Sequence, residues 1–371
     1  TGTYNYAWYS DAGLTTPIGQ TNAEATALAA GTYWVEVSDD NGCSDVASVT
    51  LVDPPVLSVT ATVTSSYNGQ DISCNGESDG SVAAAATGGS GAYSYEWYDD
   101  ALLTSPIGHS TAAVTGLPAD EYWVEVTDAN GCTASAYVEV TEPPALTLSL
   151  DIISDYNGRD ISCNGANDGR VEATVNGGTG TYYYNWYTDA AYTVPLGQYT
   201  AVAINLTEGT YYLRVNDVNG CVIEGDITLT EPDALDASET ARTDVGCFGE
   251  ATGSVTVEAT AGTGTAPYEY SINGGSSWQD PGTFNSLAAG NYVVLVRDIN
   301  GCTYPVPVTI TQPTPLMASI TDIVNVSCNG LSDGEVTVEA TAGSGTAPYS
   351  YSIDGGATWE AAGDFTGVAA G

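Results

Sequence analysis

The chain repeats itself. The string Asp-x-Asn-Gly-Cys occurs at Asp39–Cys43, Asp128–Cys132, Asp217–Cys221 and Asp298–Cys302. A second cysteine series, Cys74, Cys163, Cys247 and Cys328, keeps step with the first. It lies in Cys-Asn-Gly-x-x-Asp-Gly at Cys74–Gly80, Cys163–Gly169 and Cys328–Gly334. The copy at Cys247–Gly253 reads Cys-Phe-Gly-Glu-Ala-Thr-Gly and lacks both the Asn and the Asp. A period of about 80–90 residues is that of an array of small domains, and it sets the architecture before any other property is weighed. Proline joints mark the boundaries: Asp53-Pro54-Pro55, Glu142-Pro143-Pro144, Glu231-Pro232-Asp233 and Gln312-Pro313-Thr314-Pro315. The expected division is three complete modules, 56–144, 145–233 and 234–314, with partial modules at 1–55 and 315–371. Thr1 aligns with Ser90 and Gly371 with Gly290, so the sequence reads as a window on a longer array.

Within each module apolar residues alternate with period two, the pattern of a strand with one buried and one wet face. Leu57, Val59, Ala61 and Val63 form one such set, and Val82, Ala84 and Ala86 the next. Tyr93, Tyr95 and Trp97 follow, matched by Tyr4, Tyr6 and Trp8 and by Tyr182, Tyr184 and Trp186. Tyr122, Val124 and Val126, then Ala136, Val138 and Val140, complete the module. Trp8, Trp97 and Trp186 are expected in the core. Tyr33 and its copies stand just after a turn, the place of a tyrosine corner, whose hydroxyl ties a crossover to backbone. About seven short strands per module predict an all-β fold of tandem immunoglobulin-like sandwiches in a linear, semi-rigid array. In the last two modules the Trp moves to Trp278 and Trp359, on an expected extra strand after the third.

Charge narrows the function. Against 46 Asp and Glu stand five cations, all arginine: Arg159, Arg170, Arg214, Arg242 and Arg297. The net charge of −41 repels phosphate backbones and acidic lipids, so no nucleic-acid or membrane-surface partner is expected. No apolar run approaches the roughly 20 residues of a membrane span. Regularly spaced cysteines suggest disulfides and an oxidising, extracellular setting. Zinc is disfavoured, because no Cys-x-x-Cys occurs and the only histidine is His109.

The run Cys-Asn-Gly-x-x-Asp-Gly, then Gly-Gly-x-Gly-x-Tyr-x-Tyr-x-Trp, then Leu-x-Ala-Gly-x-Tyr-x-Val-x-Val-x-Asp-x-Asn-Gly-Cys and a closing Thr-x-Pro resembles the SprB-type repeat of very large gliding and surface adhesins of Bacteroidota. The resemblance covers essentially the whole chain. It implies a cell-surface, filament-forming or adhesive protein, exported in that family by the type IX route. It transfers no catalytic residue.

Two disulfide pairings compete. The usual one is within a module: Cys74–Cys132, Cys163–Cys221 and Cys247–Cys302. In an immunoglobulin-like topology, however, those two turns lie at opposite ends of the module. A strand of eight to ten residues separates them by roughly 25–30 Å, whereas bridged Cα atoms lie within ~7 Å. Stacked head to tail, the far end of one module meets the near end of the next. Cys74 then reaches Cys221, and Cys163 reaches Cys302, stapling neighbours together.

Asp-x-Asn-Gly also looks like half a calcium loop, and Asp79, Asp128, Asp168, Asp217 and Asp298 are the metal candidates. Against calcium, Asn-Gly is a tight-turn signal and an EF-hand needs a longer ligand run. The outward aromatics Trp34, Trp123 and Tyr212 could stack on sugar rings or form filament contacts. No nucleophile, base or carboxylate pair stands out, so no enzyme and no cofactor are expected, with calcium the exception to test. The expected function is a stalk or filament segment that extends a binding tip and transmits tension, in surface attachment or gliding. The alternatives are a carbohydrate-binding module array and a calcium-rigidified adhesin. Expected partners are neighbouring repeats of the same chain, with a polysaccharide or abiotic surface engaged by other parts of the protein.

Overall fold

The computed structural model describes residues 2–371, and every regular element among them is a β-strand. Residues 1–55 hold β1 (Asn5–Tyr9), β2 (Gly31–Ser38) and β3 (Ser44–Leu51). Residues 56–144 hold β4 (Ser58–Val63), β5 (Gly80–Thr87), β6 (Ser94–Tyr98), β7 (Ala113–Leu117), β8 (Asp120–Thr127) and β9 (Thr133–Val140). The same six recur as β10 (Thr147–Ile152), β11 (Gly169–Asn176), β12 (Tyr183–Tyr187), β13 (Val202–Leu206), β14 (Gly209–Asn216) and β15 (Val222–Leu229). They recur again as β16 (Ala237–Thr243), β17 (Gly253–Ala259), β18 (Tyr268–Ser271), β19 (Thr283–Leu287), β20 (Gly290–Asp298) and β21 (Thr303–Ile310). Residues 315–371 add β22 (Ala318–Val324), β23 (Gly334–Ala340) and β24 (Asp364–Val368).

Each full set makes two three-stranded antiparallel sheets, ordered β4-β5-β7 and β6-β8-β9 in residues 56–144. Two such sheets face to face are an immunoglobulin-like sandwich. The alternation read from sequence is what each strand buries. Tyr122, Val124 and Val126 of β8 lie inside, with Val82, Trp97, Val138 and Val140. Trp97 is fully buried and its indole N–H donates to the Thr111 carbonyl at 2.9 Å, so its one polar atom is satisfied. Trp186 repeats this with Thr200 at 3.0 Å. Trp8 donates likewise to Asn22, in a sheet where it is only half-buried. The tyrosine hydroxyls of Tyr33, Tyr122, Tyr211 and Tyr292 each donate to the carbonyl four residues back, at 2.9–3.0 Å.

The expected seventh strand is reduced to a short segment bridged to β6. After β6 the chain turns at Asp100, whose carboxylate accepts N–H groups from Thr104 and Ser105 at 2.9 and 2.8 Å. It then pairs with β6 around one bridge, Tyr98 to Pro106, through backbone hydrogen bonds from Asp99 to Ser105, Ile107 to Trp97 and Trp97 to His109. Pro106 has no N–H, so it offers the outer edge of this segment no donor. Trp278 and Trp359 sit beside the equivalent single bridges, Tyr270–Gln279 and Tyr351–Glu360. Proline also marks an edge: Pro305 and Pro307 stand on β21, the outer strand of the order β18-β20-β21.

The chain gathers into two compact units. One comprises the residues up to Thr147 with Asn176–Tyr182 and Asn216–Val222; the other comprises Leu148–Val175, Tyr183–Val215 and Ile223–Gly371. The division does not follow the proline joints. It falls inside residues 145–233, whose turns at Asn176–Tyr182 and Asn216–Val222 group with the preceding module.

Candidate functional site: the joint between modules

The turn before β5 and the turn between β8 and β9 lie at opposite ends of their module. Gly80, which opens β5, packs on Val140, the last residue of β9; a Cβ there would come within 2.9 Å of the Val140 side chain. Cys132 lies just before the other end of β9. Eight residues of strand separate the two ends by roughly 25 Å. The intramodule bonds Cys74–Cys132, Cys163–Cys221 and Cys247–Cys302 are therefore not formed. Cys74 is bonded to Cys221 with Cα atoms 5.6 Å apart, and Cys163 to Cys302 at 5.7 Å. Cys43, Cys132, Cys247 and Cys328 carry free, exposed thiols.

Hydrogen bonds surround each disulfide in the same pattern. Tyr67-Asn68-Gly69 is a tight hairpin turn with positive φ at Asn68 and Gly69, a backbone shape that Asn-Gly adopts readily. The Asn68 side-chain amide donates to the Asn219 Oδ1 at 2.5 Å. Asn219 Nδ2 in turn donates to the carbonyls of Tyr67 and Ser73 at 3.2 and 3.1 Å. Asn157 and Asn300 repeat this arrangement with Tyr156 and Ser162. The Asn of Asp-x-Asn-Gly-Cys is thus the polar key of the joint, and Tyr-Asn-Gly is its lock.

The proline segments are held just as closely. Asp71 accepts from the Thr141 N–H and hydroxyl at 2.9 and 2.6 Å. Glu142 accepts from the Asn75 side chain and the Gly76 N–H at 2.7 and 2.6 Å, and Asn75 also reaches the Pro143 carbonyl. The Gly178 N–H closes the run by donating to the Pro144 carbonyl at 2.7 Å. Asp160, Asn164, Glu231 and Pro232 repeat the grip, with the Gly264 N–H on the Asp233 carbonyl. In residues 234–314 two partners change together. Phe248 replaces the Asn and Gln312 replaces the Glu, leaving the Gly249 N–H on the Gln312 side chain at 2.8 Å.

The candidate metal carboxylates accept hydrogen bonds from backbone N–H groups. Asp128 accepts N–H groups from Asn130 and Cys132 on one oxygen and from Ser90 on the other, at 2.9 Å each. The Cys132 N–H foremost, against a smaller effect of burial, holds the Asp128 carboxyl below its ordinary range. Asp217 and Asp298 cap their loops in the same way. Asp79 and Asp168 accept from the Ser73 and Ser162 N–H groups at 3.1 and 3.2 Å. Burial raises the Asp79 carboxyl, but hydrogen bonds from Ser73 and Tyr67 outweigh it and leave it lowered. Among the described residues no three His, Cys, Asp or Glu side chains converge as a metal site needs. His109 sits exposed in its loop.

The outward aromatics lie on the outer faces of their sheets. Trp34 stands between Tyr9 and Ser48 in register. Trp123 stacks on Tyr137, with centroids 6.1 Å apart. Tyr212 meets Tyr192 edge-on at 6.2 Å.

Sequence reading missed the joint's polar partners, Asn68, Asn219, Glu142, Asp71 and their copies. A signal was present: Phe248 and Gln312 depart from the pattern in the same module. Among the described residues no helix is long and apolar enough to cross a membrane.

The family model described as SprB repeat matches the chain at residues 66–102, 157–191, 240–277 and 320–358. No curated protein matches. Among solved structures, part of a 1.5-MDa bacterial ice-binding adhesin is 16% identical with a TM-score of 0.39, covering 70% of this chain and 98% of that one. Three N-terminal domains of the bacteriophage RB49 outer capsid protein Hoc are 13% identical with a TM-score of 0.33, covering 69% and 99%. The N-terminal eight immunoglobulin domains of the Down syndrome cell adhesion molecule are 11% identical with a TM-score of 0.25, covering 92% and 60%.

Proposed function

Since the chain is a SprB-type repeat protein, we propose that it works as the load-bearing stalk of a large extracellular, cell-surface adhesin, holding a binding element away from the cell in attachment or gliding. The observation that carries this reading is the interleaving of the disulfides. Cys163 lies inside the stretch closed by Cys74 and Cys221, and its partner Cys302 lies outside it. Neither loop can open without straining the other. Pulled from its ends, such a chain carries load through sulfur and the short backbone between Cys163 and Cys221. The domain division is part of the proposal: modules 56–144, 145–233 and 234–314 fold as units and are tied at their joints. The role is non-enzymatic. In this reading the candidate carboxylates serve their turns, accepting backbone N–H groups. The net charge of −41 keeps neighbouring stalks apart.

Single-molecule stretching tests this. Reduced and unfolded, the 371-residue chain extends to about 1,300 Å, at ~3.5 Å per residue. Oxidised, the shortest covalent path crosses both disulfides and contains roughly 200 residues, which gives about 700 Å. Equal extension with and without reductant would remove the load-bearing role.

A further inference from the structure

We infer that Asn41 and Asn130 are sites of spontaneous deamidation, and that closure of the joint is what spares Asn219 and Asn300 in the same loop.

Every Asp-x-Asn-Gly-Cys loop depends on its glycine, since Gly42, Gly131, Gly220 and Gly301 all have positive φ. The same dipeptide is chemically weak. Glycine carries no side chain, so its amide nitrogen can reach the asparagine Cγ. At Asn130 the Gly131 nitrogen gives its proton to a base in the solvent and attacks that carbon. The N–Cγ bond forms, the Cγ–Nδ2 bond breaks, and ammonia leaves. Water then opens the five-membered imide at either carbonyl, giving Asp or isoaspartate. One water is consumed for each ammonia released.

The four loops form a matched set. In each, the Asp carboxylate accepts the Asn N–H at 2.9–3.0 Å. In each, the Gly N–H donates to the Asp carbonyl at 3.0–3.1 Å. The backbone therefore does not distinguish them, whereas the side-chain amide does. Asn219 Nδ2 is held by the Tyr67 and Ser73 carbonyls, and its Oδ1 by Asn68. Asn300 is held by Tyr156, Ser162 and Asn157. Both are half-buried, while Asn41 and Asn130 are exposed. Among the described residues no side-chain hydrogen bond holds Asn41 or Asn130. The reaction needs the side chain to swing onto the glycine nitrogen, so at Asn219 and Asn300 three hydrogen bonds must open first.

The second cysteine series repeats the contrast. Glu142 accepts from both the Asn75 amide and the Gly76 N–H, and Glu231 from Asn164 and Gly165, which pins the leaving group and the attacking nitrogen together. Asn329 is exposed and has neither contact among the described residues. Reaction at a joint would not reverse. A carboxylate at position 219 has no proton to donate to the Tyr67 and Ser73 carbonyls and sets its charge against them. Closure thus guards the contacts that hold the joint.

Peptide mapping by mass spectrometry tests this on the oxidised 371-residue protein held in mildly alkaline buffer. Each site's rate is divided by its rate in the reduced, urea-unfolded chain, which removes the influence of neighbouring sequence. Asn41, Asn130 and Asn329 are expected to convert, and Asn75, Asn164, Asn219 and Asn300 at least about tenfold more slowly. The combined substitution Asn68→Ala, Cys74→Ser and Cys221→Ser opens one joint. Asn219 is then expected to convert about tenfold faster than before. Asn300 in the same molecule should stay slow, which shows that the other joint remains folded. Asn219 reacting as fast as Asn130 in the oxidised protein would overturn the inference, as would no conversion at Asn41 and Asn130. A slow Asn219 in the opened variant would also overturn it, since the loop alone would then be the shield.

Discussion

Trp97→Ala is expected to unfold residues 56–144 near physiological temperature while leaving residues 234–314 folded. The indole is fully buried between two three-stranded sheets, and its N–H is already satisfied by the Thr111 carbonyl. Deleting it opens a cavity and orphans that carbonyl, a loss of about 3–5 kcal/mol. A module of this size holds on the order of 4–13 kcal/mol in all. Residues 234–314 pack their core around Tyr270, Phe284, Val294 and Val296 without an equivalent Trp, so they keep their own transition. Calorimetry should show the transition of residues 56–144 displaced downward by tens of degrees or lost. Trp359→Ala is the control: that ring is 64% exposed, and its removal should shift nothing by more than about 0.5 kcal/mol. Comparable effects of the two substitutions would refute the assignment of Trp97 to the core.

Replacing Cys74 and Cys221 together by serine should cost about 2–4 kcal/mol, because the bond closes a long stretch of chain, 147 residues in sequence. The loss should be local. Asn68, Asn219 and the Glu142 grip remain, each hydrogen bond contributing on the order of 1 kcal/mol. They hold the joint less firmly than a covalent bond. Amide hydrogen exchange is expected to rise at Ser73–Gly76 and Asn219–Cys221, and much less inside β8. Unchanged protection at both turns would mean that the noncovalent contacts alone fix the joint and that the disulfide adds nothing there.

The sandwich was legible because its signal is local. A period of two along Tyr122, Val124 and Val126 places those side chains on one face whatever the neighbouring strand does. A tyrosine after a Gly-containing turn marks the corner just as locally. The shortness of the seventh strand was not legible, because Asp100 and Pro106 act through local geometry. A carboxylate collecting N–H groups from Thr104 and Ser105 turns the chain, and a proline without an N–H leaves the bridged segment's outer edge short of a donor. The joint was half legible. Strand length alone separates Cys74 from Cys132, and that argument needs only the rise per residue. The partners of Asn219 lie some 150 residues away in sequence, and no local pattern names them. The Asp-x-Asn-Gly-Cys loop invites a calcium reading because carboxylate and turn look alike in sequence. Only the positions of the Asn219 and Cys221 N–H groups show where the Asp217 oxygen is used.

Covalent ties between successive modules are the core of this account, and peptide mapping of the unreduced protein, with free thiols alkylated first, reads them directly. Cross-linked peptides joining Cys74 to Cys221 and Cys163 to Cys302 are expected, with Cys132 and Cys247 recovered alkylated. A peptide joining Cys74 to Cys132, or Cys247 to Cys302, would contradict the account.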